Sequence, residues 1–362
     1  MRFRLTLLLA LVIASAIAYA QETPVRFVND WTWEGQAAPL LLSLDKGYFA
    51  EEALDVTLDK GTGSVNAIPK VASGEYQFGS ADINSLIKWR SDNPDSDVKA
   101  IFMIYNSPPF AVLGRPSQGV FGPLDLEGHK LGAPKFDGAF AQWPAFVMTN
   151  GIVEERVEII DVAFPDREPM LASGAVDAIT GFSFTSLITL KQNGVPENDI
   201  SLMLMSDFGL DLYGNAIIVN PDFAAENPGA VRAFLRAATR GYQQTIANPT
   251  AAVEHVLSRV EAADKQVELD RLVMAIGHHI VTDEVRALGL GGVLDSRLEK
   301  SIAQLHTIHN FAKVPTAGDI FDDRYLPTMN ARQINAIDLT TPEEQSTLLL
   351  NSETEAQNAS EE

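Results

Sequence analysis

The chain contains no cysteine. Disulfides and thiolate metal sites are therefore excluded, and no thiol is available to carry a lipid near the N-terminus. Basic residues are scarce too: 27 Lys and Arg against 48 Asp and Glu give a formal net charge of −21. Such a surface repels nucleic acid and anionic lipid. After the first twenty residues no run is long and apolar enough to read as a membrane span. No Gly-x-Ser-x-Gly elbow, Walker loop or His-Glu-x-x-His helix occurs. His306 and His309, and the pair His278-His279, have possible metal-ligand spacing. No acidic partner lies close in sequence to the first pair, so these histidines read as packed or surface residues and no metal is expected.

What is present begins with "MRFRLTLLLALVIASAIAYA", two arginines, an apolar run and a small-residue Ala18-Tyr19-Ala20 end. That order is a secretory signal peptide, residues 1–20, and the apolar run is short for a spanning anchor. Cleavage there leaves a freely diffusing periplasmic chain with room for two domains. Residues 340–362 are polar and acidic apart from "LLL" at 348–350, and read as a disordered tail.

Between these ends, strand-like and helix-like segments alternate. "VRFVND", "LDVTLDKG", "YQFGSA" and "VKAIFMIYN" read as strands. The helices between them are "AAPLLLSLDKGYFAEEA", "VNAIPKVASGE" and "INSLIKWRSDN". The rhythm restarts with "KLGAP", "VEIIDVAF" and "VDAITGF", and after "NAIIVNP" the chain turns helical to about residue 310. Alternation at this spacing predicts parallel, doubly wound α/β sheets. "FAVLGRP" and "NAIIVNP" are the candidates for two strands crossing between lobes. They divide the chain into a discontinuous first lobe, 22–112 plus 216–335, and an inserted second lobe, 113–215. An interface between such lobes is a default place for a ligand cleft.

"AAPLLLSLDKGYFAEEALDVTL", together with the paired "VASGEYQFGSAD" and "LASGAVDAITGF", resembles bacterial periplasmic substrate-binding proteins. The similar branch serves importers of nitrate, sulfonates, taurine and thiamine-pyrimidine precursors. The resemblance implies a type II two-lobed periplasmic-binding-protein fold that closes on a small molecule. It also implies an ABC permease and its ATPase as partners, a monomer, and no cofactor or chemistry of its own. A ligand-loaded sensor component would use the same fold. The resemblance extends to a pyrimidine-synthase branch with a cysteine-rich iron motif, which this chain lacks. One departure stands out: where the family reads E-G-L-D-V, this chain has Glu52-Ala53-Leu54-Asp55-Val56. Either alanine takes the left-handed cap that glycine favours, at a cost of about 1 kcal/mol, or the turn differs slightly.

Ligands in open α/β sheets bind outside the carboxyl ends of strands. In the first lobe those ends give Trp31, Trp33 and Glu34; Gly63 and Ser64 in "GTGS"; Ser80 and Asp82; and Tyr105 and Asn106. In the second they give Asp137 and Gly138, then Phe182, with Asp211 and Tyr213 before the return crossing. Two of the four tryptophans lie in "NDWTWEGQ", and in a β conformation residues i and i+2 share a face. One or both indoles are therefore expected to form a flat wall. The "GTGS" amides either face a polar ligand group, or Ser64 merely caps the following helix. Pro69 would then clash near its first turn. Glu34, Asp82 and Asp211 would accept N–H bonds and disfavour a bare anion. Lys135 and Arg115 are the only basic residues near these segments. The balance points to an aromatic, nitrogen-bearing ligand like a thiamine-pyrimidine precursor, with an alkanesulfonate, taurine or nitrate as the alternative.

Overall fold

The computed structural model describes residues 22–334. The expected signal peptide and acidic tail lie outside the described residues. Among the described residues, ten strands form two five-stranded sheets. The first contains β1 (Thr23–Val28), β2 (Leu54–Asp59), β3 (Phe78–Asp82), β4 (Lys99–Met103) and β10 (Asn215–Val219) in the order β2-β1-β3-β10-β4. The second contains β5 (Phe110–Gly114), β6 (Lys130–Ala133), β7 (Glu158–Asp161), β8 (Ala178–Phe182) and β9 (Ser201–Leu204) in the order β7-β6-β8-β5-β9. Helices fill the connections, as the alternating pattern predicts.

The sheets are mixed rather than purely parallel. In the first, β10 runs antiparallel to both β3 and β4. In the second, β5 runs antiparallel to both β8 and β9. These are the first strands laid down after each crossing. "FAVLG" therefore belongs wholly to the second sheet, so the expected lobe boundary at 112/113 falls inside a strand. The crossing itself is made by short non-strand segments on either side of Tyr105 and Gly214. They pair with each other: Tyr105 N donates to Asn215 O (3.0 Å) and Gly214 N to Tyr105 O (2.9 Å). His279 pins this junction, with one ring nitrogen 3.1 Å from Ser107 O and the other 2.8 Å from Ser183 Oγ. Burial lowers its pKa to about 3, so the ring is neutral.

The long helix Pro228–Ala247 covers the first sheet. Phe234 stacks on Phe78 (4.3 Å between centroids) and Phe49 (4.9 Å), and such pairs add about 0.5–1.5 kcal/mol beyond their buried area. Helix Ala38–Asp45 lies so close to it that a Cβ on Gly241 would sit 1.9 Å from Ser43 Oγ. The single helix expected over "AAPLLLSLDKGYFAEEA" is broken by Gly47 at φ 74°, and a short turn, Tyr48–Glu51, follows.

Ala53 then turns into β2 at φ 57°, in the left-handed region. Its carbonyl accepts from Thr23 N (2.9 Å), which fixes where β1 starts against β2. Glycine adopts that backbone without the Cβ penalty, although it also loosens the unfolded chain. Ala53→Gly is therefore expected to raise unfolding free energy, by up to about 1 kcal/mol, as read from urea denaturation midpoints.

Candidate functional site

The site is organised by the residues that follow β1. Residues 29–34 are not strand, so the two indoles are not placed by β alternation. Instead Asp30 turns inward. Its amide donates to Ser80 Oγ (2.8 Å), and its carboxylate accepts from Ser64 Oγ (3.2 Å) and Asn215 Nδ2 (2.5 Å). Burial raises the Asp30 pKa despite these bonds. The "GTGS" turn zips onto the same segment: Gly63 N donates to Asp30 O (2.7 Å) and Gly61 N to Trp31 O (3.1 Å). Those two amides are therefore not free for a ligand. Nor does Ser64 cap the helix. It is the first residue of helix Ser64–Ala72, Gly63 holds the cap position, and the Ser64 hydroxyl serves Asp30. Pro69 sits inside that helix.

The second lobe meets this segment directly. Phe164 packs edge-on against Trp31, 4.4 Å between centroids. Thr185 Oγ1 donates to Glu34 Oε2 at 2.9 Å. A Cβ on Gly63, whose φ is 104°, would lie 2.2 Å from the Phe136 carbonyl. Gly35 N donates to Glu268 Oε2 (2.7 Å), and Arg271, paired with Glu268, reaches Thr189 Oγ1 (2.8 Å). Helix Lys265–Ala275 thereby joins the tryptophan segment to the second lobe.

Two adjoining cavities lie at this seam. One runs between Asp30, Trp31, Gly63 and Ser64 on one side and Asp137, Gly138, Phe164, Arg167 and Thr185 on the other. The second lies mostly in the first lobe, among Trp31, Trp33, Gln36, Ser80, Tyr105, Asn215 and Tyr242. Asp30, Trp31 and Phe182 line both. Outside them a wider groove passes Glu34, Lys135, Phe136, Glu168 and Arg271.

Ten of the residues expected from strand ends meet here: Trp31, Trp33, Gly63, Ser64, Ser80, Tyr105, Asp137, Gly138 and Phe182 on the cavities, and Glu34 in the groove. Four do not. Asp82 is fully buried and caps helix Ile83–Asp92, accepting from Asn84 N, Ser85 N and three side chains. Asn106 accepts from Thr282 Oγ1 (2.6 Å) behind the crossing. Asp211 is a surface partner of Arg297. Tyr213, with Arg297 4.1 Å over its ring, donates to Glu284. In each case a strand-end position is taken by the packing of a C-terminal helix or by a helix cap. That packing joins residues far apart in sequence.

The sequence reading passed over Asp30, Gln36, Asn215, Phe164, Arg167, Thr185 and Tyr242. Asp30 and Gln36 lie within "NDWTWEGQ", and Asn215 is the one polar residue heading an apolar return strand, so these had a local signal. Tyr242, mid-helix, had none. Arg167 corrects the inventory of basic groups. Lys135 is exposed and paired with Asp161, and Arg115 is tied to Asp199 (2.6 Å) away from the cavities. Arg167, by contrast, is buried in the first cavity. Its guanidinium is taken up by Glu168 (2.6 Å) and by Asp137 (3.5 Å). Burial works against its charge, but those two carboxylates keep it protonated.

In the second cavity, Trp31 Nε1, Gln36 Oε1 and Asn215 Oδ1 are buried and have no hydrogen-bond partner among the described protein groups. The amide orientations are fixed, because Gln36 Nε2 donates to Glu34 and Asn215 Nδ2 to Asp30. Residues lining the cavity therefore carry one unpartnered N–H donor and two unpartnered carbonyl acceptors, beside the buried carboxylate of Asp30.

Two outcomes follow. Gly63→Ala is expected to hold the lobes apart, because its Cβ and the Phe136 carbonyl cannot share one position. Small-angle scattering should show a larger radius of gyration with the melting transition retained. The second concerns Asp82, whose pKa burial pushes up to about 6. The folded state then holds a proton that the unfolded state releases near pH 4, so this group's stabilisation is present at low pH. It is lost as pH rises from about 4 to about 6, on the order of 3 kcal/mol. A carboxyl-carbon NMR titration of Asp82 should show a midpoint near 6 rather than near 4.

Comparison with known proteins agrees with this architecture. Residues 34–252 match the family model described as NMT1/THI5 like. The formylaminopyrimidine-binding protein of Halalkalibacterium halodurans is 28% identical over 242 residues, 66% of this chain and 72% of that protein. The riboflavin-binding protein RibY of Chloroflexus aurantiacus is 27% identical over 274 residues, 73% and 76% of the two chains. A 4-amino-5-hydroxymethyl-2-methylpyrimidine phosphate synthase of Aspergillus parasiticus is 24% identical over 64% of this chain and 69% of its own length. Among solved structures, the alkanesulfonate-binding protein SsuA of Xanthomonas axonopodis superposes with a TM-score of 0.64 at 12% identity, covering 84% of this chain and 100% of SsuA. That likeness establishes the periplasmic-binding-protein fold. With more than half its length matched by the family model, the chain belongs to the NMT1/THI5 like family.

Proposed function

We propose that this protein is the substrate-binding component of an ABC-type import system and captures a flat, nitrogen-bearing heterocycle by closure of its two lobes. The observation that carries this reading is the second cavity. Its Trp31, Trp33, Tyr105 and Tyr242 rings supply faces for stacking. Its lining residues carry the unpartnered Trp31 Nε1, Gln36 Oε1 and Asn215 Oδ1, the complement of a heterocycle with both N–H donors and an acceptor. The relatives named for binding a formylaminopyrimidine and riboflavin support the same class of ligand. Trp31 and Phe182 face both cavities, so a ring in the second can carry a substituent into the first.

An alkanesulfonate or nitrate is disfavoured. The buried guanidinium, Arg167, is already satisfied by Glu168 and Asp137, and Asp30 and Glu34 add further carboxylates. A bare anion would be desolvated among them without a free cationic partner. The binding role is preferred to a synthase because the relatives of higher identity are named as binding proteins. In this reading the loaded, closed form docks on a membrane permease in the periplasm. No helix among the described residues is long and apolar enough to cross a membrane.

Native mass spectrometry of the purified protein should reveal a retained heterocycle. In thermal-shift titrations, a formylaminopyrimidine or riboflavin is expected to raise Tm, whereas taurine, nitrate and sulfate leave it unchanged. A rise with taurine or nitrate alone would reverse the assignment. Trp33→Ala should weaken heterocycle binding at least tenfold, about 1.4 kcal/mol, with the fold intact by circular dichroism. Unchanged affinity would remove Trp33 from the site.

A further inference from the structure

One turn of the first lobe reaches one helix of the second at two points. The turn is Glu34-Gly35, directly after the two tryptophans, and the helix is Ser183–Gln192. Thr185 and Thr189 of that helix are four residues apart and share a face. Thr185 Oγ1 donates to Glu34 Oε2 at 2.9 Å, a direct bond from lobe to lobe. The second point is relayed. Gly35 N donates to Glu268 Oε2 (2.7 Å), Glu268 is paired with Arg271, and Arg271 donates to Thr189 Oγ1 (2.8 Å).

The first-lobe side of this arrangement is one packed unit. A Cβ on Gly35 would lie 1.9 Å from Glu268 O, so the turn sits flat against helix Lys265–Ala275. Glu34, Glu268 and Arg271 are all buried, as is Thr185. Separating the lobes breaks both points together and lets water reach the groups that made them. With the lobes shut, loss of the Thr189 hydroxyl leaves an Arg271 N–H without its partner, a cost that falls on the closed form alone. Thr189 borders the outer groove and lines neither inner cavity. It therefore stands clear of a ring held among Trp31, Trp33, Tyr105 and Tyr242.

We propose that Thr185 and Thr189 form a two-point latch, made only when the lobes are shut, which sets how long a ligand is held and not which ligand is chosen. This rests on the closure reading given above and adds how closure is regulated. A bond confined to the closed form shifts the open–closed equilibrium by one factor, whatever the ligand. The latch therefore acts on the dissociation rate of every ligand alike.

Thr189→Val keeps the side-chain shape and removes the hydroxyl. Stopped-flow binding of riboflavin and of a formylaminopyrimidine to the full chain should show dissociation faster by about fivefold or more. The factor should be the same for both probes, with association rates unchanged, and Thr189→Ser should restore wild-type dissociation. A second measurement needs no ligand. The chain has no cysteine of its own, so Lys60→Cys and Asn193→Cys, both at exposed positions on opposite lobes, accept a pair of spin labels. In the ligand-free chain Thr189→Val should shift their distance distribution to longer values, and Thr189→Ser should not. If neither probe binds, the ligand reading falls and the label distances alone decide the latch. Unchanged dissociation, unequal factors for the two probes, no recovery with serine, or unchanged distances in a chain that binds neither probe would overturn the proposal.

Discussion

Asp30 draws on three otherwise separate parts of the first lobe. Its carboxylate is held by Ser64 at the start of a helix and by Asn215 at the head of the return strand. Its amide is held by Ser80, in the middle strand. A buried carboxylate is tolerated only where donors converge on it, and meeting that demand brings these elements to one point. The aromatic side chains then have fixed places. Trp31 is the next residue along the chain, and its own carbonyl is tied to the glycine turn. The cost of burying the charge and the order of the site are thus two aspects of one arrangement.

Contacts between the lobes are of a different kind. Polar pairs run along a seam, Glu34 with Thr185, Arg271 with Thr189, Gln142 with Asp82 and Ser183 with His279, beside the aromatic contacts of Trp31 with Phe164 and of Tyr105 with Phe182 and Phe184. Each has a modest net value in water, about 0.5–1.5 kcal/mol for a typical hydrogen bond. The crossing segments are bonded to each other and clamped by a neutral buried histidine.

Much of the fold was legible because period and punctuation are local. The alternation of strands and helices could be read from neighbouring residues, and the left-handed strain at Ala53 from the family pattern it departs from. The antiparallel β5 and β10 could not, since strand direction within a sheet depends on which lobe receives the chain. For the site, strand ends located the cavities well but did not separate residues facing them from residues engaged elsewhere. Asp82 has the same local signature as Ser80, two residues away. Only Gln142 and the helix after Asp82 decide that it is a cap. Arg167 escaped notice because its charge makes it look like surface, and only Glu168 and Asp137 make its burial tolerable.

The exchange of strands at the crossings has a consequence for how the chain acquires its structure. The second sheet is built from one continuous stretch, β5 through β9, so everything it needs is present once about residue 204 is available. The first sheet cannot be finished until β10 fills the gap between β3 and β4, and its cover waits for Pro228–Ala247. In vectorial folding from the N-terminus, the inserted lobe would therefore consolidate while β1 to β4 still lack their central partner. That interval leaves the facing edges of β3 and β4 open to mispairing. Between the emergence of β4 and of β10, those two edges have no partner from their own sheet.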